Sequence, residues 1–195
     1  MKPPHEPTLD SPGAGLPAPE LMIGRLLFAL RRSTANRQKL TQRFCEERAI
    51  IRRRVDEASP SELEVRMLIP RLRGMEDSSR FWSVWMTLDH LRITNEAFAG
   101  VIRSLVQGRM PEGEASTAAV KPSPKVTGAV DAAYEKSCDQ LLAVLNESSD
   151  LKTPLRYKHP WFGPLDASGW HALAGMHMGI HRAQIVRILT AQLTA

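Results

Sequence analysis

The chain has 195 residues, 43% hydrophobic and 24% charged, with a formal net charge of +5 and 2 cysteines. That length fits a single domain with one sizeable core. Its longest apolar runs, such as Leu26–Leu30, have a quarter of the roughly 20 residues a membrane-spanning helix needs, so no membrane span is expected.

Residues 1–19 hold six prolines and two glycines and lack an apolar h-region. This composition predicts a disordered Pro-rich leader rather than a secretory signal, with the folded domain over residues 20–195 and a cytoplasmic location by default. From Arg25 to Arg73 there are thirteen Arg or Lys against six Asp or Glu, a local +7. A patch of that sign can meet nucleic acid. Here the arginines recur at helical spacing between Leu26, Leu30, Leu40, Phe44, Ile51 and Val55, which reads as the solvated face of one long amphipathic helix. No recognised binding motif accompanies them, so nucleic acid is not an expected partner.

Four long helical stretches and almost no strand signal predict an all-α fold. The first stretch runs from Pro19 to Glu57, with Asn36 near a break. Ser59 and Glu62 flank Pro60 in a capping-box pattern that starts a short helix ending near Pro70. The second long helix begins at the caps Asp77, Ser78 and Ser79, runs to Gln107 and stops at Gly108. Phe81, Trp82, Trp85, Leu88, Leu91, Phe98 and Ile102 make it apolar nearly all round, hence the most buried. Residues 109–127 turn to Pro, Gly, Ser, Glu and Lys, a loop without a core-forming pattern. A third helix spans Gly128 to Leu145, and a last one starts near Asp166 and continues to Leu193. Cys45 and Cys138 stand alone in helical patterns, without CxxC or zinc-finger spacing, and read as two buried free thiols.

The last helix holds the candidate chemistry. His177 and His181 are four residues apart, so on a helix they lie about 40° apart in azimuth and about 6 Å apart along the axis, close enough to share one metal ion. The stripe Trp170, Leu173, Ala174, Ile180, Ile185 and Ile188 puts both on the core face. His90 falls in the stripe Met86, Ile93, Ala97 and Val101 of the second helix. A neutral imidazole facing a core must satisfy an acceptor nitrogen as well as a donor, and a metal ion satisfies the acceptor. Three imidazoles from two packed helices form an open site with positions left to water, unlike a structural zinc, whose four positions are filled by protein. The bland alternative, three metal-free core histidines, leaves buried acceptors unsatisfied.

Met86-Thr87-Leu88-Asp89-His90-Leu91 and the segment His177-Met178-Gly179-Ile180-His181-Arg182-Ala183-Gln184-Ile185 resemble the DinB-like superfamily of bacterial four-helix bundles. His159-Pro160-Trp161-Phe162-Gly163-Pro164-Leu165, followed by Trp170, looks like the lead-in to the last helix in one branch of it. The resemblance implies a four-helix bundle that binds a divalent metal, zinc or nickel first, through His90, His177 and His181. Characterised members include metal-dependent transferases and isomerases that use low-molecular-weight thiols. The expectation is therefore a metal-dependent enzyme, a thiol-using transferase or a hydrolase acting on a small electrophile. The alternative is a non-catalytic, metal-stapled bundle with a binding or stress-response role. Bundles of this size often dimerise, which leaves a homodimer open.

Other residues weigh against their structural roles. Met178 stands where an HExxH metalloprotease has its general base, which disfavours that chemistry. Gln184 can orient a ligand or cap a backbone carbonyl. Asp89 lies about 100° around the helix from His90 and reads as an ion-pair partner. Glu76 and Asp77 precede a helix and read as dipole-favoured caps. Arg71, Arg80 and Arg182 are candidates for an anionic substrate, though arginine is abundant here. Tyr134 is a candidate proton donor, with core packing and a hydroxyl at the rim the simpler role. His159 reads as ordering its loop, His171 as belonging to another helix face, and His5 as part of the leader.

Overall fold

The computed structural model describes residues 6–193. The expected first helix is two: α1, Ala18–Thr34, and α2, Arg37–Glu57. The break falls at Ala35 and Asn36, both extended, and the Asn36 side chain caps α2 by accepting from the Lys39 amide at 2.9 Å. Ser59 and Glu62 form both halves of the capping box of α3, Pro60–Glu64. This helix ends earlier than expected because the chain then turns extended and pairs. β1, Met67–Leu68, runs antiparallel to β2, Phe81–Trp82, around a 3-10 turn at Asp77–Ser79.

The long buried helix α4, Val84–Val106, starts at Ser83, whose hydroxyl accepts from the Met86 amide, and not at Asp77–Ser79. α5 covers Val130–Glu147. A second ribbon, β3 at Tyr157–His159 and β4 at Gly163–Leu165, leads into α6, Ala167–Gln192, capped by Asp166. α4 packs against α5 and α6, and α2 against α6, so α2, α4, α5 and α6 form a four-helix bundle. The core runs from Phe44 and Ile51 of α2 through Leu88, Leu91 and Ile102 of α4 to Leu141 and Leu145 of α5 and Ile185 and Ile188 of α6. α2 approaches α6 closely over Gly175 and Gly179; a Cβ at Gly179 would lie 2.9 Å from Glu47 Oε1. None of the described helices is long and apolar enough to cross a membrane.

Two expectations need correction. Residues 6–17 are not a loose leader, because they are pinned to the body. The Asp10 amide donates to Asp77 Oδ2 at 3.0 Å, the Gly13 amide to Glu76 Oε2 at 3.3 Å, and Glu6 pairs with Arg66 at 2.8 Å. Composition carries no trace of such backbone bonds. Cys138 is buried, as expected, but Cys45 is exposed, since it follows the buried Phe44 and one helical step turns it outward.

Candidate metal centre

Three helical turns bring His90 from α4 and His177 and His181 from α6 to one point. His90 Nε2 and His177 Nε2 lie 3.1 Å apart, and so do His181 Nε2 and His177 Nε2. His90 and His181 are buried, and His177 is half-buried.

The other ring nitrogen of each histidine decides its protonation. His90 Nδ1 meets the Val120 carbonyl at 2.6 Å, and a carbonyl only accepts, so Nδ1 holds the proton. Gln184 donates its amide nitrogen to the Ser79 carbonyl at 2.8 Å, which turns its oxygen to His181 Nδ1 at 2.6 Å. His181 is therefore protonated on Nδ1 as well. The Thr94 hydroxyl donates to the His90 carbonyl at 2.9 Å and accepts from His177 Nδ1 in a long 3.5 Å contact. With all three protons on Nδ1, three Nε2 lone pairs face one another.

Three acceptors in contact repel unless something positive lies between them. A proton fits poorly there: burial pushes the His90 imidazole down to about 4, against the Val120 bond, and the Lys121 charge adds to it. His177 and His181 are held well below the ordinary histidine range, first by burial and then by neighbouring histidines, with Gln184 opposing at His181. The rings are thus neutral near pH 7, the state that binds metals. The spacing suits a cation, since two nitrogens 3.1 Å apart, each about 2.0–2.1 Å from an ion, subtend about 100°, between octahedral and tetrahedral angles. The donor set fits a divalent metal with positions to spare.

The DinB superfamily profile matches residues 30–185. The chain belongs to the DinB superfamily. This DinB-superfamily bundle also resembles the solved structure of TT2238, a four-helix bundle protein, with a TM-score of 0.54 and 21% identity over 81% of this chain and 98% of that one. That likeness speaks for the fold. No curated protein matches the sequence.

Around the triad of this DinB-superfamily chain, the 109–127 loop does more than connect. Lys121 pairs with buried Glu76 at 2.7 Å and donates to Ser78 and Ser79 hydroxyls, each at 3.0 Å. Thr117 also donates to Glu76, and the Ser123 amide donates to Asp89 at 3.1 Å. The loop is thus clasped on both sides of Val120, the acceptor for His90. Ser79 joins the two orienting devices: its hydroxyl takes Lys121, and its carbonyl takes Gln184. Sequence reasoning missed Lys121, Val120, Ser79 and Thr94. Its one available signal was the length of a coreless loop, which in compact domains usually has a job.

Glu76 is therefore a buried ion-pair partner and not a simple cap; its carboxyl lies below its ordinary range because Lys121, with Thr117 and Gly13, outweighs burial. Gln184 does both things expected of it, holding His181 and a backbone carbonyl. Asp89 pairs with Arg92 at 2.9 Å. The three candidate arginines are taken by carboxylates: Arg71 by Glu20, Arg80 by Asp77 and Arg182 by Glu47. Met178 is fully buried, and the Tyr134 hydroxyl points to its sulfur at 3.9 Å inside the core, not at a rim. His159 Nδ1 accepts from the Trp161 and Phe162 amides and orders the β3–β4 turn. His171 faces α2, with Nε2 at 3.2 Å from the Thr41 hydroxyl. His5 lies outside the described residues.

Proposed function

We propose that this chain is a divalent-metal-dependent enzyme that uses His90, His177 and His181 to hold zinc or nickel and acts on a small electrophile with a low-molecular-weight thiol or water. The observation that supports it is the convergence of three Nε2 lone pairs whose ring protons are all committed elsewhere. An ion held by neutral imidazoles keeps its charge and lowers the pKa of a water or thiol in a remaining position. The chain's own groups set the stage. Val120, Thr94 and Gln184 fix the rings in the Nδ1–H form, and Lys121 and Glu76 hold the loop that carries Val120. Buried Phe98 meets the His177 ring edge-on with centroids 5.7 Å apart and keeps that side of the cluster apolar.

Metal analysis of untagged protein tests the centre. Wild type is expected to retain close to one divalent ion per chain, and His177→Ala/His181→Ala none; equal metal content would sink the proposal. Turnover of a panel of thiols with small electrophiles, with and without metal, then tests the reaction. One observation favours the staple alternative: the ligands come from α4 and α6, so a metal also clamps two packed helices. A large metal-dependent gain in stability with no turnover across the panel decides for the staple.

A further inference from the structure

Helix α1 carries an apolar stripe that its own chain leaves uncovered. Met22, Ile23, Leu26, Leu27 and Leu30 are 57–70% exposed, whereas Phe28 is 3% exposed and packs on Phe162 at 4.6 Å between ring centroids. At 100° per residue the five exposed side chains fall within about 140° of arc, and Phe28 lies about 170° from its centre. The stripe therefore points straight away from the bundle. The helix is not detached: Arg25 donates to the Trp161 carbonyl at 2.5 Å, Arg32 pairs with Asp166 at 2.9 Å, and Glu20 pairs with Arg71 at 2.5 Å. It is a fixed helix presenting an uncharged, aliphatic face to solvent.

We infer that this face is a homodimer interface, in which α1 packs antiparallel on α1 of a second copy across a two-fold axis near Leu26. Three observations favour this occupant. The stripe is self-complementary about Leu26, since an antiparallel partner puts Met22 opposite Leu30 and Leu26 opposite itself. Its area is adequate: five such side chains expose on the order of 600 Å² per copy, as large as the biggest apolar patch of an ordinary monomer, so pairing removes up to about 1,200 Å² in total, at the lower edge of a specific interface. Its charges choose the direction. Glu20 and Arg32 are already taken by Arg71 and Asp166, but Arg31 stands in the last turn, so a parallel pair would set the two Arg31 side chains and the like helix ends together, whereas an antiparallel pair holds them apart. The interface lies away from the histidine triad and holds whether or not the proposed reaction does.

The full chain is measured by light scattering after size exclusion, and by cross-linking in a Cys45→Ser background. Wild type is expected at twice 21.7 kDa. Leu26→Glu/Leu27→Glu is expected at the monomer mass with unchanged helical content, since both side chains are exposed in the single chain. Leu26→Cys should form a symmetric disulfide, and Met22→Cys should link to Leu30→Cys on mixing but not to itself. A monomeric wild type at 100 µM overturns the inference, as does a dimer that survives the double glutamate change. Self-linking of Met22→Cys overturns the antiparallel arrangement. A monomer that sediments with phosphatidylglycerol vesicles through the same stripe assigns it to a membrane surface instead.

Discussion

Each triad ring has its proton placed by a different partner, and the partners differ in how exposed they are to mutation. Gln184→Leu removes the oxygen that His181 Nδ1 faces at 2.6 Å while keeping an apolar bulk. Metal affinity is expected to fall about 10–100-fold, the usual cost of losing such an outer contact, as measured by competition with a chromophoric chelator. His171 offers a separate test by pH. Burial, helped by the nearby Arg37 charge, lowers its imidazole from 6.5 to about 4. In the window between those values the unfolded ring is protonated and the folded one is not. Stability is therefore full above 6.5 and falls as pH drops toward 4, by about 3 kcal/mol. His171→Phe should lessen the slope of the urea-derived stability curve over that window by one proton's share, with His90, His159, His177 and His181 supplying the rest; an unchanged slope would remove His171 from the titration.

The helices were legible because their buried stripes repeat at 3.6 residues, and the caps at Asn36, Ser59 and Asp166 were legible as residue types. His90, His177 and His181 shared that legibility, since each fell inside a stripe. The ribbons did not. Met67–Leu68 and Phe81–Trp82 are too short to show alternation, and an apolar Phe-Trp pair beside a helix reads as its first turn. Lys121 is also mute in sequence, because nothing in a Pro- and Ser-rich loop announces that one lysine meets a buried carboxylate 45 residues earlier. That pair makes a prediction for the loop as an element. Glu76→Gln leaves the Lys121 ammonium without its counter-charge and is expected to destabilise the chain by about 3 kcal/mol. Lys121→Met should weaken metal binding by about tenfold through His90, whereas Lys121→Arg should recover most of it.

At the scale of the whole molecule, the proposed metal joins α4 and α6, the two helices with the most buried residues. An ion at about 1,000 times its dissociation constant adds about 4 kcal/mol. For a chain of this size that corresponds to roughly 10 °C in melting temperature. Scanning calorimetry of metal-loaded and chelator-stripped protein should show that difference for wild type and none for His177→Ala/His181→Ala. Loading should persist as pH falls well below the ordinary histidine range, because His90 titrates only near 4 and the other two lie well below 6.5.

The acceptor that holds His90 is a main-chain oxygen, at Val120. Its identity as an acceptor does not depend on the side chain at that position. Exchanging Val120 for Ile, Thr or Ala leaves the oxygen where it is, so residue 120 can drift freely among such side chains. The spacing between Thr117, Lys121 and Ser123 cannot, because those three contacts fix where the carbonyl falls. A single residue inserted between 117 and 121 would pull it off the ring with every named side chain still present. The loop thus stores its information as length, in a form that a comparison of residue identities would pass over.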